Sequence, residues 1–202
     1  MTREEKINIM KNVMSKNNGY IVLEHIIQDG YDKSYIEAMI EEGYIEKEED
    51  GIYLDKNVLP DSYYLLQLLN PFIIYSHITS LYFHQISNCI NYDRYSLSLP
   101  EQVDTNYLKK HYLYKCNKIN YELGLSTVKT TYGNIVKAYD IERSICDIII
   151  DHSNLDIDEY ADCLKNYIKS KNKNLRKLCE YGKKLNISND ILDMILVLNE
   201  II

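Results

Sequence analysis

Several features that mark specialised protein classes are missing from the sequence. The seven glycines are scattered singly, so there is no glycine-rich phosphate loop, and neither G-x-S-x-G nor H-E-x-x-H occurs. The five cysteines are widely spaced without a C-x-x-C pair, which favours reduced thiols over a zinc site. No stretch approaches about 18 apolar residues, and the charged first residues lack the apolar run of a signal peptide. We therefore expect a cytoplasmic protein that is not an enzyme and uses no cofactor, metal or membrane.

The composition is that of a folded protein with an uneven charge distribution. The chain has 202 residues, of which 46% are hydrophobic, and this is enough to build a core. Its net charge is -7. Residues 1–56 carry 7 basic and 13 acidic side chains, whereas residues 57–202 carry 16 and 17. The acidity is thus concentrated in the N-terminal quarter.

The N-terminal quarter has the pattern of three helices followed by a hairpin. Helical apolar spacing predicts the helices, and two short alternating segments joined by E-E-D predict the hairpin. The helices are expected over residues 2–17, Tyr20–Asp29 and Lys33–Glu42, and the hairpin strands over Tyr44–Lys47 and Gly51–Leu54. This order predicts a winged helix-turn-helix domain over residues 1–56.

In a winged helix-turn-helix domain the third helix enters the DNA major groove and the wing lies near phosphates. The residues expected to contact DNA are therefore Lys33, Ser34, Tyr35, Glu37 and Lys47. Charge opposes this reading, because the wing carries four acidic residues against Lys47 alone, and these would repel phosphates. A protein-docking module of the same fold is the alternative.

Residues 57–202 are expected to form a second, mixed domain, with residues 56–60 as the linker. Helices are predicted for Asp61–Leu69 and from Tyr75 onward. Extended pieces between Tyr95 and Tyr139, including a hairpin turn at Tyr132-Gly133-Asn134, predict a small antiparallel sheet. Further helices follow to the end of the chain. The predicted fold class is α+β, with a winged helix-turn-helix, then a mixed domain with this sheet and a C-terminal helical bundle.

The segment from Tyr139 to Ile150 predicts a strand that turns directly into a helix. Asp140 is placed to cap the helix, because its carboxylate can accept from the free N–H groups of the first turn. Arg143 and Asp147 are four residues apart, on the side opposite the isoleucines, and predict an ion pair that locks this helix to the sheet. Glu142 falls at the edge of the apolar arc, so it is expected to be half-buried and to need a hydrogen-bond donor.

Two consecutive helices near the C-terminus carry basic residues on their outer faces. The residues that form these stripes are Lys165, Lys169, Lys173, Arg176 and Lys177. Such stripes are often only solvated surfaces, but their concentration in an acidic chain also suits an anionic partner.

Four motifs in order along the chain carry a family resemblance. They are Y-S-x-x-T-S-L-x-x-H from Tyr75, Y-D-x-E-R-S-x-C-D from Tyr139, L-K-x-Y from Leu164 and N-L-x-x-L-x-x-Y from Asn174. Together with the N-terminal pattern, they resemble the AbiEi-type antitoxins of abortive-infection, type IV toxin-antitoxin systems, which act in phage defence. The sequence departs from the family in having H-Q-I-S-N from His84, where the family tends to H-G-L-[ST]-D, and in its acidic third helix and wing.

The resemblance implies an antitoxin that is also a transcriptional repressor of its own operon. The winged helix would bind inverted repeats in the promoter DNA, and the C-terminal domain would oppose a nucleotidyltransferase-like toxin, with or without a direct complex. Ser76, Thr79, Glu142, Arg143 and Asp147 would be family residues with a structural role. Two alternatives are a protein-interaction module that does not bind DNA, and an enzyme that modifies the toxin with these residues in a cleft.

Overall fold

The computed structural model describes residues 1–89 and 93–201. Contacts between residues divide the chain into two compact units, Met1–Leu69 and Asn70–Ile202. The boundary predicted from the sequence lies after residue 56 instead. The protein is a mixed α/β structure with a small antiparallel sheet in the first unit and a run of helices at the C-terminus. None of the helices in the described ranges combines the length and apolarity needed to cross a membrane.

The first unit contains four helices and a three-stranded sheet. In chain order the elements are α1 (Arg3–Lys16), β1 (Tyr20–Val22), α2 (Leu23–Gln28), α3 (Ser34–Glu41), β2 (Ile45–Glu49), β3 (Ile52–Asp55) and α4 (Ser62–Leu69). The strands are antiparallel in the order β1-β3-β2. A capping box between Thr2 and Glu5 starts α1. The apolar faces of α1 and α3 meet in a core that includes Met10, Ile36 and Met39.

The start of the predicted second helix is a strand. Tyr20, Ile21 and Val22 are all buried and pair with Leu54, Tyr53 and Ile52 of β3. A strand buried on both faces shows a continuous apolar run rather than alternation, and such a run cannot be told from a helix by its period. The helix therefore begins only at Leu23.

Residues 57–69 group with the first unit because α4 packs on its sheet. The Asp61 N–H donates to the Tyr20 hydroxyl at 2.7 Å, and the Asp61 carboxylate caps α4 by accepting from the N–H groups of Tyr63 and Tyr64, both at 3.1 Å. Leu65 and Leu68 of α4 pack against the buried cluster of Tyr20, Ile52 and Leu54. These contacts explain why the boundary lies after Leu69 and not at residue 56.

The second unit begins with strands and ends with helices. Its elements are β4 (Ile74–Tyr75), α5 (His77–Phe83), β5 (Ser96–Pro100), β6 (Tyr112–Cys116), α6 (Lys118–Glu122), β7 (Leu125–Lys129), β8 (Ile135–Tyr139), α7 (Ile141–Ile150), α8 (Ile157–Lys169), α9 (Leu175–Leu185) and α10 (Ser188–Ile201). Short 3-10 helices lie at Asn106–Leu108 and His152–Asn154. Side chains from α5, α7, α8, α9 and α10 form one apolar core.

The sheet of the second unit is mixed, so the prediction of an antiparallel sheet was wrong. Its order is β6-β5-β4-β8-β7. The β7–β8 hairpin and the β4–β5 pair are antiparallel, but β4 with β8 and β5 with β6 are parallel. Parallel pairing needs a crossover connection, and residues 101–111 supply one between β5 and β6. Alternation along a strand indicates its faces, not its partner or direction.

Candidate functional site

The first candidate surface is the exposed side of α3 with the β2–β3 hairpin. Lys33 and Glu37 are exposed at the start of this helix. Tyr35 is not available there: it is only 8% exposed, because its ring belongs to the core of the first unit. The Ser34 hydroxyl donates to the Asp32 carboxylate and accepts from the Lys6 ammonium. Of the predicted base contacts, Lys33 and Glu37 are therefore the accessible ones.

Carboxylates surround the cations of this surface. Lys47 in the hairpin is exposed and pairs with Asp50 at 2.8 Å. At the other end of α3, Arg3 pairs with Glu41 at 2.7 Å and with Glu42 at 3.3 Å. Ion pairs this exposed contribute little to stability, but they offset the positive charge that phosphates would meet.

The second candidate site is the junction between β8 and α7. Asp140 caps α7, as predicted: one carboxylate oxygen accepts from the Arg143 N–H at 2.9 Å. Its other oxygen accepts from the Tyr181 hydroxyl and the Lys177 ammonium of α9, both at 2.9 Å. Burial is the main cause, and the hydrogen bond to Asp140 the second, of a pKa of Tyr181 raised to about 12. The helix cap thus also holds α9 in place.

Glu142 has the hydrogen-bond donors that its position was predicted to need. It is 4% exposed, more buried than expected. Its Oε1 accepts from the N–H of Asn174 at 2.9 Å and from the Tyr167 hydroxyl at 3.3 Å, and Lys177 Nζ lies 3.9 Å from Oε2. A carboxylate so deeply buried is stable only with such partners. Glu142 therefore joins the start of α7 to α8 and to the start of α9.

Arg143 and Asp147 form the predicted ion pair, but in the interior. Both residues are at most 4% exposed, and Arg143 Nε donates to Asp147 Oδ1 at 2.8 Å. The guanidinium also donates to the carbonyls of Asn120 and Leu123 and lies 4.4 Å from the centre of the Tyr139 ring. The side of α7 that carries this pair was predicted to lie opposite the apolar face. In the structure, β8 and the segment around α6 cover it. The pair ties α7 to both.

Asp147 keeps one oxygen without a partner. Its Oδ2 is buried and accepts no hydrogen bond within the described structure. Burial raises the pKa of Asp147 to about 6, although the neighbouring Arg143 charge acts to lower it. Asp147 lines a cavity of about 320 Å³ together with His77, Ser98 and Tyr114. Burying these two charges is costly, and the contacts of the pair offset the cost only in part because Asp147 Oδ2 accepts no hydrogen bond.

The Y-S-x-x-T-S motif fixes the start of α5 against strands β5 and β8. Thr79 Oγ1 accepts from the Ser96 N–H at 2.9 Å, and the Ser80 hydroxyl donates to the Tyr139 carbonyl at 2.7 Å. Ser76 is fully buried, with its Oγ 3.0 Å from Nδ1 of His77. Across residues 1–89 and 93–201, no hydrogen bond or ion pair joins Ser76 or Thr79 to Glu142, Arg143 or Asp147. Ser76 and Thr79 therefore have hydrogen-bond partners different from those of Glu142, Arg143 and Asp147.

His77 was not singled out as a functional residue, but it occupies an unusual position. Its φ of 47° is in the left-handed region, and its ring stacks on Tyr114 with centroids 3.5 Å apart. Burial lowers the pKa of His77 to about 3, so the ring is neutral. Tyr114 donates to Asp151 at 2.8 Å. No pattern in the sequence indicates this stack, because His77 and Tyr114 come from elements far apart in the chain.

The basic residues near the C-terminus do not form one free stripe. Lys177 is half-buried, and its ammonium lies 2.9 Å from Asp140 and 3.9 Å from Glu142, so it is not a free cation of the outer face as was assigned. Arg176 pairs with Glu180 at 3.1 Å, Lys165 with Asp162 at 3.6 Å, and Lys173 donates to the Ile168 carbonyl at 2.6 Å. Lys169 is exposed and makes no ion pair with a described residue. The exposed cations are thus concentrated around the α8–α9 turn.

The described residues include no group of three or more histidine, cysteine, aspartate or glutamate side chains placed to hold a metal ion. No protein-family model matches the chain, and no curated protein matches it either.

Proposed function

We propose that the chain is an antitoxin and transcriptional autoregulator of a type IV toxin-antitoxin system. The N-terminal unit would act as a winged helix-turn-helix that binds inverted repeats in the operon's own promoter. The observation that carries the proposal is the order α1-β1-α2-α3-β2-β3 with the antiparallel sheet β1-β3-β2. This order supplies a helix pair with a short turn, α2 and α3, and a hairpin that can serve as a wing.

Lys33 is the residue expected to contribute most to DNA binding. It is exposed at the start of α3, the end that approaches bases in this fold. Lys47 is exposed on the wing, and exposed Glu37 can accept from the amino group of cytosine. Because many carboxylates surround these groups, few phosphate contacts are available, and the salt dependence of binding should be shallow.

The acidic surface favours one second candidate, a winged helix that docks a basic protein segment rather than DNA. Its exposed carboxylates Glu46, Glu48 and Glu49 on β2 would contact lysines or arginines of the partner.

A mobility-shift titration of the full chain on the DNA upstream of its gene separates these two candidates. At low salt we expect a shift with the wild type, and an affinity about tenfold lower for Lys33→Glu, which turns an attraction for phosphate into repulsion. Lys118→Glu, an equal charge change at an exposed site in the second unit, is the control. No shift with folded wild-type protein, or equal losses for both variants, would contradict the DNA-binding role.

The antitoxin role is assigned to the second unit, and its exposed cations are the proposed contact. Lys169, Lys171 and Lys173 are exposed at the α8–α9 turn, and Lys183 and Lys184 are exposed in the last turn of α9. A nucleotidyltransferase-like toxin acts on nucleic acid and nucleotides, so an anionic substrate or toxin surface would be complementary to this cluster. Arg143 and Asp147 have no catalytic role in this proposal: they are internal contacts of the unit.

A further inference from the structure

An apolar groove runs between α8 and α10 in the second unit. Its volume is about 500 Å³, and Ile149 of α7 contributes to it. The side chains that line it are mainly apolar: Ile157, Tyr160, Ala161, Leu164, Met194 and Val197. A groove of this character on the surface of a protein usually receives a side chain of another molecule.

Two apolar side chains of the groove are largely exposed: Val197 on α10 is 54% exposed, and Ile157 at the start of α8 is 77% exposed. Leu192 and Leu196 are 53% and 64% exposed, but they are four residues apart on a side of α10 that does not line the groove. The opposite side of α10 is already buried through Ile191 and Met194. The helix therefore has one face in the core and a second apolar face that the described residues do not cover.

The charged residues beside the groove are arranged in a self-complementary way. Lys165 stands on the α8 side, and Asp190 and Asp193 stand on the α10 side. The Lys165 contact with Asp162 is exposed and 3.6 Å long, so it leaves the ammonium available to another partner. In an interface with two-fold symmetry, a patch meets its own copy, and each contact occurs twice. A two-fold axis along the groove places Lys165 of each copy opposite the two aspartates of the other.

We propose that this groove is the interface of a homodimer, in which Val197 of each copy packs into the groove of the second copy. Both charge signs on opposite walls are what an isologous contact requires. Nucleic acid is a poorer occupant, because its phosphates would face Asp190 and Asp193. A membrane is also a poorer one, because the same carboxylates would lose water without gaining a partner. This inference concerns the second unit alone and does not depend on DNA binding.

The hydrophobic half of the interface is tested by the molar mass of the full chain in solution. Light scattering after size exclusion should give twice the 23.8 kDa of one chain for the wild type. Val197→Asp should weaken association at least about a hundredfold and give the mass of one chain, with an unchanged circular dichroism spectrum. Ile119→Asp, at a 79% exposed site on α6, is the matched control and should stay dimeric. A monomeric wild type, or a dimeric Val197→Asp variant, would overturn the proposal.

The charge pairing is tested by mixing two variants. Lys165→Glu alone should be monomeric because like charges then face each other, and so should the double variant Asp190→Lys with Asp193→Lys. An equimolar mixture should recover the dimer mass, since both halves of the mixed interface then pair opposite charges. A mixture that stays monomeric would overturn the isologous arrangement, as would either variant remaining dimeric alone.

Discussion

Arg143→Ala is expected to lower the free energy of unfolding by about 3–5 kcal/mol, the usual cost of removing one partner from a buried ion pair. Asp147 would remain in the interior with neither oxygen paired, because its Oδ2 has no hydrogen-bond partner among the described residues. The carbonyls of Asn120 and Leu123 would also lose their donor. A urea titration that unfolds the second unit, monitored by circular dichroism, measures this change in the free energy of unfolding.

The chain contains a matched control for this substitution. Arg176 and Glu180 are also an arginine and a carboxylate four residues apart, 3.1 Å from each other, but their side chains are 90% and 56% exposed. Arg176→Ala should change the free energy of unfolding by no more than about 0.5 kcal/mol, as is usual for exposed helical pairs. If both substitutions lower the free energy of unfolding by the same amount, burial does not determine how much the Arg143–Asp147 pair contributes to stability.

Gly124→Ala should be nearly as damaging, because the chain passes directly over Arg143 at this glycine. The φ of Gly124 is 78°, a conformation that costs an alanine about 1–2 kcal/mol. An added Cβ would lie 2.5 Å from Cβ and 2.9 Å from Cγ of Arg143. Those atoms are held near the backbone of α7 and cannot move aside freely, so overpacking should cost about 1–3 kcal/mol more.

Gly133→Ala separates the two contributions. Gly133 has a similar φ of 88°, but an added Cβ would meet no atom within 4 Å. This control should lose only the conformational part, about 1–2 kcal/mol. Equal losses of stability for the two variants in the same urea titration would show that Gly124 is not in close contact with Arg143.

Local signals in the sequence predicted the junction between β8 and α7. The Asp140 cap follows from one residue type at a helix start, and the β7–β8 hairpin from the turn at Gly133. The need of Glu142 for a donor follows from its place at the edge of the apolar arc. The sequence could not identify the donors, because Tyr167 and Asn174 belong to later elements that only tertiary packing brings close.

Features that depend on long-range contacts were predicted incorrectly. The spacing of Arg143 and Asp147 indicated an ion pair, but hydrophobic periodicity places charged residues outside, whereas α6 and β8 bury this pair. Lys177 was assigned to the outer face of α9 for the same reason and instead contacts Asp140. For Arg143, Asp147 and Lys177 the covering element, not the local pattern, determined the exposure. Tyr35 is different, because the apolar arc of its own helix already includes it, and this burial conflicts with its assignment to DNA contact.

Co-expression of the full chain with the protein encoded next to it, which the proposal expects to be a nucleotidyltransferase-like toxin, tests the antitoxin proposal most directly. Growth is the readout, and immunoblots verify that both proteins accumulate. We expect the toxin alone to arrest growth, and both the full chain and the fragment Asn70–Ile202 to restore it, while Met1–Leu69 does not. Continued arrest in the presence of abundant full-length chain, or rescue by Met1–Leu69 alone, would contradict it.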